Sequence, residues 1–75
     1  MSLDDIFSNY INASDANTLM IEVVGNITSL SGNHFLMWGW LNGARSYGML
    51  LIISFNGIWY ARRSNSTTWS ITPLN

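Results

Sequence analysis

From residue 18 onward the chain is a series of apolar runs of strand length, separated by short polar segments. The runs are rich in β-branched and aromatic residues, and Gly, Asn and Ser fill the gaps, where they favour turns. The runs are Thr18–Val24, His34–Leu41, Tyr47–Phe55, Ile58–Arg63 and Thr67–Ile71. Residues 27–30 between the first two read as a weaker strand or a loop. Pro73 closes the last strand, which is typical of a sheet edge. The pattern predicts a mainly β fold, a small antiparallel β-meander.

The first twelve residues show the period of a helix instead. Apolar residues recur at i, i+3, i+4, i+7 and i+8, which forms one face of an amphipathic helix; they are Leu3, Ile6, Phe7, Tyr10 and Ile11. Ser2 can cap the first turn, and Asp4 and Asp5 favour its positive end. We expect a short helix over residues 1–12, compatible with the end of a longer stalk. Residues 13–75 form the β-rich part, and the whole is one domain.

Arg62 and Arg63 lie side by side in a chain that has three basic residues in all. Asn56-Gly57 lies between two apolar runs and predicts a two-residue hairpin turn. This turn sets two rows of pairs: Phe55–Ile58, Ile53–Tyr60 and Leu51–Arg62 on one face, and Ser54–Trp59, Ile52–Ala61 and Leu50–Arg63 on the other. The two arginines therefore point to opposite faces. We expect Arg63, beside the polar segment 64–66, to be the exposed one.

Both faces of this hairpin are apolar, whereas one short helix can cover one face only. A second copy of the chain is the most economical cover for the other face, so we expect a homo-oligomer. The expected interface residues are Leu3, Ile6, Phe7, Tyr10, Leu51, Ile53, Phe55 and Ile58. Lipid is the alternative cover. The uncharged segment 46–61 is shorter than the roughly 20 residues of a spanning helix, which argues against membrane insertion.

Composition excludes several classes of function. Charged residues make up 9% of the chain and the formal net charge is −1, so no basic surface for nucleic acid is expected. With no cysteine, one histidine (His34) and scattered acids, the chain offers no catalytic triad, no metal site and no cofactor site. His34 can be interpreted as a general base or a metal ligand, or more simply as a half-buried or strand-end histidine. Glu22 reads as a buried partner of Arg45 or Arg62, or as the solvent-facing position of an edge strand.

The four tryptophans have two interpretations. Trp38 and Trp40 are two residues apart and share a face, while Gly39 between them relieves crowding or marks a bulge. Aromatic rings can stack on sugar rings while polar side chains bond the hydroxyl groups; equally, they can fill the core and the subunit interface. Under the first interpretation the expected ligand-binding residues are Trp38, Trp40, Tyr60, Arg63, Asn65 and Trp69.

The tract from Tyr47 to Leu74 resembles the C-terminal tips of bacteriophage tail fibres. In those tips an apolar strand, an Asn-Gly turn, an aromatic–arginine strand and a tryptophan-bearing strand follow one another. The matching segments here are Ile58–Arg63 and Thr68-Trp69-Ser70, and residues 15–19 (DANTL) are similar to the entry of the knob-like modules.

The resemblance implies a homotrimeric, non-enzymatic tip that binds a glycan, lipopolysaccharide or protein on a bacterial surface. Its location would be the tail fibre of a virion, or otherwise extracellular. Two alternatives remain: a structural or assembly protein of a virion, whose aromatics serve subunit contacts, and a small lectin-like module.

Overall fold

The computed structural model describes residues 1–7, 17–41, 47–64 and 68–74. It contains a helix, α1 (Leu3–Phe7), followed by five strands. The strands are β1 (Asn17–Val24), β2 (His34–Leu41), β3 (Tyr47–Ser54), β4 (Gly57–Ser64) and β5 (Ser70–Pro73). They form one sheet in the order β1-β2-β3-β4-β5, and every neighbouring pair is antiparallel. The predicted β-meander with a short N-terminal helix is confirmed.

Some predictions fall on parts of the chain that the structure does not describe. The expected continuation of the helix to residue 12 lies there, together with Tyr10, Ile11, Arg45 and Asn65. In the described part of the chain, no helical segment has both the length and the apolar character that a membrane crossing requires.

The sheet has two different faces, which we call the covered face and the open face. Side chains alternate between them along each strand. The open face consists of even-numbered residues in β1, β2, β4 and β5 and odd-numbered residues in β3, because these face each other across the ladders. The covered face consists of the remaining strand residues, against which α1 and the β1–β2 connection pack.

The core lies on the covered face. Leu3 of α1 and both Ile27 and Leu30 of the β1–β2 connection join the strand residues there. The buried set is Leu3, Val23, Ile27, Leu30, Phe35, Met37, Leu41, Leu50, Ile52, Trp59 and Ala61. The rings of Phe35 and Trp59 lie 6.2 Å apart at 53°, a favourable tilted arrangement. Residues 27–30 are therefore a loop, and its apolar side chains close one end of the core.

The β3–β4 turn differs from the predicted one. Ser54 pairs with Gly57 and Ile53 with Ile58, so the turn residues are Phe55 and Asn56 and not Asn56-Gly57. The predicted pairs, from Phe55–Ile58 to Leu50–Arg63, are each wrong by two residues on one strand. The reason is local: the Asn56 N–H donates to the Ser54 hydroxyl at 3.0 Å, which closes the turn one residue early. A shift of two residues keeps every side chain on its predicted face.

Arg62 and Arg63 do point to opposite faces, but their exposures are the reverse of those predicted. The Arg63 side chain is 9% exposed on the covered face, where its Nη1 donates to Asp4 Oδ1 at 2.8 Å. Arg62 is exposed on the open face. The expectation that Arg63 is the exposed arginine is wrong, because α1 docks on that face and supplies a carboxylate partner.

The start of α1 is capped as the sequence predicts. The Asp5 N–H donates to the Ser2 hydroxyl at 3.1 Å, and the Ser2 N–H donates to Asp5 Oδ2 at 2.9 Å. This reciprocal pair is a capping box. The hydrogen bond from the Ser2 backbone, with a smaller contribution from the Ser2 side chain, lowers the pKa of Asp5 below 3.8.

This cap gives a first prediction. Because the folded-state pKa of Asp5 is depressed, its contribution to stability is present above about pH 4, and it is lost as pH falls through the lower folded value. NMR titration of the Asp5 carboxyl should give a midpoint below 3.8. In Ser2→Ala the midpoint should rise but stay depressed, because the backbone donor remains, and stability should fall by about 1 kcal/mol. A titration unchanged by Ser2→Ala would contradict the capping box.

Candidate functional site

The open face exposes a large set of apolar side chains. Met20 is 80% exposed, Trp38 56% and Met49 51%, and similar residues surround them. The exposed large apolar residues at open-face positions are Met20, Val24, Leu36, Trp38, Tyr47, Met49, Ile53 and Ile58. Monomeric proteins rarely expose contiguous apolar patches of more than a few hundred Å². The open face is therefore the main candidate for a binding surface.

A shallow groove crosses the middle of the open face. It has a volume of about 240 Å³. Its lining residues are Thr18, Trp38, Gly39, Trp40, Met49, Leu50, Leu51 and Tyr60. Direct ladder pairs connect three of the strands across it, because Trp38 lies opposite Leu51 and Leu51 opposite Tyr60. The groove thus brings together three aromatic side chains from two separate strands, β2 and β4.

The two ends of the open face differ in charge. At one end, Glu22 and His34 flank a cleft of about 320 Å³ that Leu36, Ile53 and Phe55 also line. His34 Nε2 lies 2.6 Å from Glu22 Oε2, and both side chains are at least half exposed. At the other end, Arg62 lines a hollow of about 410 Å³ with Ser64, Thr68 and Ser70.

Glu22 and His34 lie at the positions that the simpler of their two interpretations predicts. Glu22 faces solvent on the edge strand β1, and His34 is the first residue of β2. Their contact arises because both occupy open-face positions at the same end of the β1–β2 ladder. The sequence does not predict this pairing, since the long β1–β2 connection leaves the register of the two strands undetermined.

The predicted ligand-binding residues are divided between the faces. Trp38, Trp40 and Tyr60 lie together in the groove of the open face. Trp69 packs against the core instead, and Arg63 pairs with Asp4. Trp59, the fourth tryptophan, is buried in the core. The core interpretation therefore applies to Trp59 and Trp69, and the binding-platform interpretation stays a prediction for Trp38 and Trp40.

The predicted interface residues are divided in the same way. Leu51, Ile53 and Ile58 occupy open-face positions, and Phe55 is fully exposed at the turn beside them. Leu3 is buried in the core of the same chain and Ile6 packs against it, while Phe7 ends α1. The expected interface and the expected glycan platform thus share one surface. The exposed Met20, Leu36 and Met49 extend it, and strand alternation is the signal that would have placed them there.

Within the described ranges, no group of three or more His, Cys, Asp or Glu side chains is arranged to hold a metal ion. In the cleft beside Glu22 and His34, the Ser54 hydroxyl accepts the Asn56 N–H at 3.0 Å and donates to the Ser31 carbonyl at 3.3 Å.

Comparisons with protein families, with curated proteins and with solved structures found no match to this chain. Its function is therefore inferred from the open face and from the resemblance of its C-terminal tract.

Proposed function

We propose that this protein is a non-enzymatic attachment subunit that assembles with copies of itself through the open face and binds a bacterial surface. The continuous apolar surface of the open face carries the proposal. The attachment role is inferred from the resemblance to tail-fibre tips, which are oligomeric. Assembly into an oligomer would also remove this apolar surface from water, which is favourable.

The chemistry of the open face favours a protein partner over a sugar at its centre. Sugar-binding sites place hydrogen-bonding side chains beside aromatic rings. Here the neighbours of Trp38 in the groove are mainly Leu51, Met49 and Tyr60, and Met20 faces it across the ladder. Exposed Met and aromatic residues with few charges are typical of the central part of protein interfaces.

The size of the open face also fits self-assembly. Strands of eight residues at about 3.4 Å each, spaced about 4.8 Å apart, give a face of roughly 500 Å². Two such faces in full contact would bury about 1,000 Å² together, near the lower limit of specific interfaces. At roughly 25 cal/mol per Å², even the apolar half of that area contributes more than 10 kcal/mol before association entropy is subtracted.

A second candidate function has one specific observation in its favour. Trp38, Trp40 and Tyr60 line one groove, with the Thr18 hydroxyl at its edge. A lectin-like module would use these rings to stack on a sugar. Such a module would keep the open face accessible and would not need to assemble.

The second prediction separates these functions. We expect light scattering at micromolar concentration to show an oligomer, and Trp38→Ser to weaken association by about 2 kcal/mol because a central aromatic side chain is lost. Circular dichroism should show an intact sheet, since Trp38 is more than half exposed. Thr28→Ala, an exposed change in the β1–β2 connection, is the control and should leave assembly unchanged.

A glycan-binding screen of the same variants completes the test. Assembly together with binding to bacterial glycans or whole cells supports the proposed function. Assembly without any surface binding favours a structural virion subunit. A monomer that binds sugar and loses it in Trp40→Ala favours the lectin-like module. A monomer without binding overturns both.

A further inference from the structure

The charged side chains of the open face suggest how two copies meet. The structure describes five formally charged side chains, and three of them have partners on the covered side of the sheet. Asp4 pairs with Arg63, and Asp5 caps α1 with Ser2. Glu22 and Arg62 remain, and both are exposed on the open face.

Among the described residues, neither of these two side chains meets a side chain of opposite full charge. Glu22 contacts His34 through Oε2, and its Oε1 has no hydrogen-bond partner among the described residues. The Arg62 side chain has no hydrogen bond or ion pair to any residue in the described ranges. Exposed single charges at the ends of an apolar surface are well solvated in water. Burying them in an interface without a partner of opposite charge would be strongly unfavourable.

Their positions on the face are nearly diagonal. Glu22 lies in a row with Leu36, Ile53 and Ile58, and Arg62 lies four residues beyond Ile58 on β4. Three strand spacings and four residues are each about 14 Å, so the two charges are roughly 20 Å apart along a line at about 45° to the strands. The midpoint of that line falls at the ladder pair Trp38–Leu51.

We infer that the open face packs against the open face of a second copy, about a two-fold axis through the Trp38–Leu51 pair, so that Glu22 of each copy meets Arg62 of the other. The inference rests on the proposed self-assembly and specifies its geometry. An isologous contact requires that any complementary pair occur twice, and this arrangement forms the Glu22–Arg62 pair at both ends. It also places the Trp38 rings of both copies at the centre.

The same axis fixes how the sheets cross. An axis perpendicular to a line at about 45° to the strands is itself at about 45°, so the rotation turns the strand direction by roughly 90°. Orthogonal packing is one of the two arrangements that packed sheets adopt. The positions of the two charges alone thus give one of the known classes of sheet packing. The assembly is a dimer, or a higher oligomer built from such dimers.

Charge reversal tests the inference. Glu22→Arg places two positive charges at each end of the interface, and Arg62→Glu places two negative charges there. Like charges across an interface oppose association strongly, so each single variant should raise the dimer dissociation constant by at least about tenfold. The double variant Glu22→Arg/Arg62→Glu should restore it to within about threefold of the original. Thr28→Arg, on the covered side, should have no effect; sedimentation equilibrium provides the measurement for all four variants.

The outcomes separate this inference from the proposed function. Loss of the dimer in both single variants and recovery in the double variant support the two-fold arrangement. A trimer, or a dimer insensitive to either reversal, overturns the arrangement and leaves self-assembly standing. A double variant as weak as the single ones also overturns it. A wild-type chain that stays monomeric at all concentrations overturns the arrangement and the self-assembly together.

Discussion

Gly39→Ala should destabilise the sheet by about 3 kcal/mol, at the upper end of the range for overpacking. A Cβ at Gly39 would lie 1.9 Å from the Met49 carbonyl oxygen and 2.9 Å from the Leu50 Cα. Both are backbone atoms of the neighbouring strand β3, so no side-chain rotation can relieve the contact. The strands β2 and β3 must separate at the centre of the sheet. Urea unfolding of the purified variant measures the loss.

Gly48→Ala is the matched comparison for this experiment. A Cβ at Gly48 would meet Trp69 Cη2 at 2.8 Å and Leu41 Cδ1 at 2.9 Å, the far ends of side chains, with the Trp40 carbonyl at 3.2 Å. These side chains can move, so we expect a loss of about 1 kcal/mol. Equal losses at the two glycines would contradict this prediction. They would show that the close approach of the β3 backbone does not make glycine necessary at position 39.

Gly39 also shows what the sequence could predict. Of its two interpretations, the relief of crowding is confirmed and the bulge is wrong, because the ladders on both sides of Gly39 are continuous. A glycine between two tryptophans in a strand indicates a position at which a side chain would be crowded. Only the structure identifies the neighbouring backbone, rather than the tryptophan rings, as the cause.

The faces of the strands were predictable, whereas their registers were not. Alternation places Trp38 with Trp40, and Arg62 opposite to Arg63, whatever the turn. The register of β3 and β4 depended on whether Ser54 or Gly57 determined the turn, and the Ser54 hydroxyl did so through a single hydrogen bond. Such a competition between two short polar motifs is decided by a small free-energy difference that the pattern does not contain.

Which face becomes the core was also beyond the sequence. Both faces of the hairpin are apolar, so the choice depends on where α1 docks. The docking is tertiary: Thr28 donates its N–H to the Met1 carbonyl at 2.7 Å, the amino terminus reaches the Asn26 carbonyl at 3.2 Å, and Asp4 reaches Arg63. These contacts join residues far apart in sequence. They leave Trp38 and Trp40 on the open face and Trp59 in the core.

The two adjacent arginines should differ sharply in their effect on stability. Arg63→Ala should cost about 2–3 kcal/mol, because it removes a charge-assisted hydrogen bond to Asp4 and the packing of a side chain that is 9% exposed. Arg62→Ala should cost less than about 0.5 kcal/mol, since Arg62 is exposed. Both changes are best made in a Trp38→Ser background, in which self-association is weakened and unfolding reports on one chain.

Asp4 completes a double-mutant cycle with Arg63. The Asp4 side chain is 47% exposed, so water can replace part of what Arg63 provides, and Asp4→Ala should cost less than Arg63→Ala. The coupling free energy between the two positions should be about 1 kcal/mol, because the pair is partly screened by solvent. Chemical denaturation of the two single variants and the double variant gives this value directly. A coupling near zero, or an Arg62→Ala loss as large as that of Arg63→Ala, would show that the Asp4–Arg63 pair does not hold α1 on the covered face.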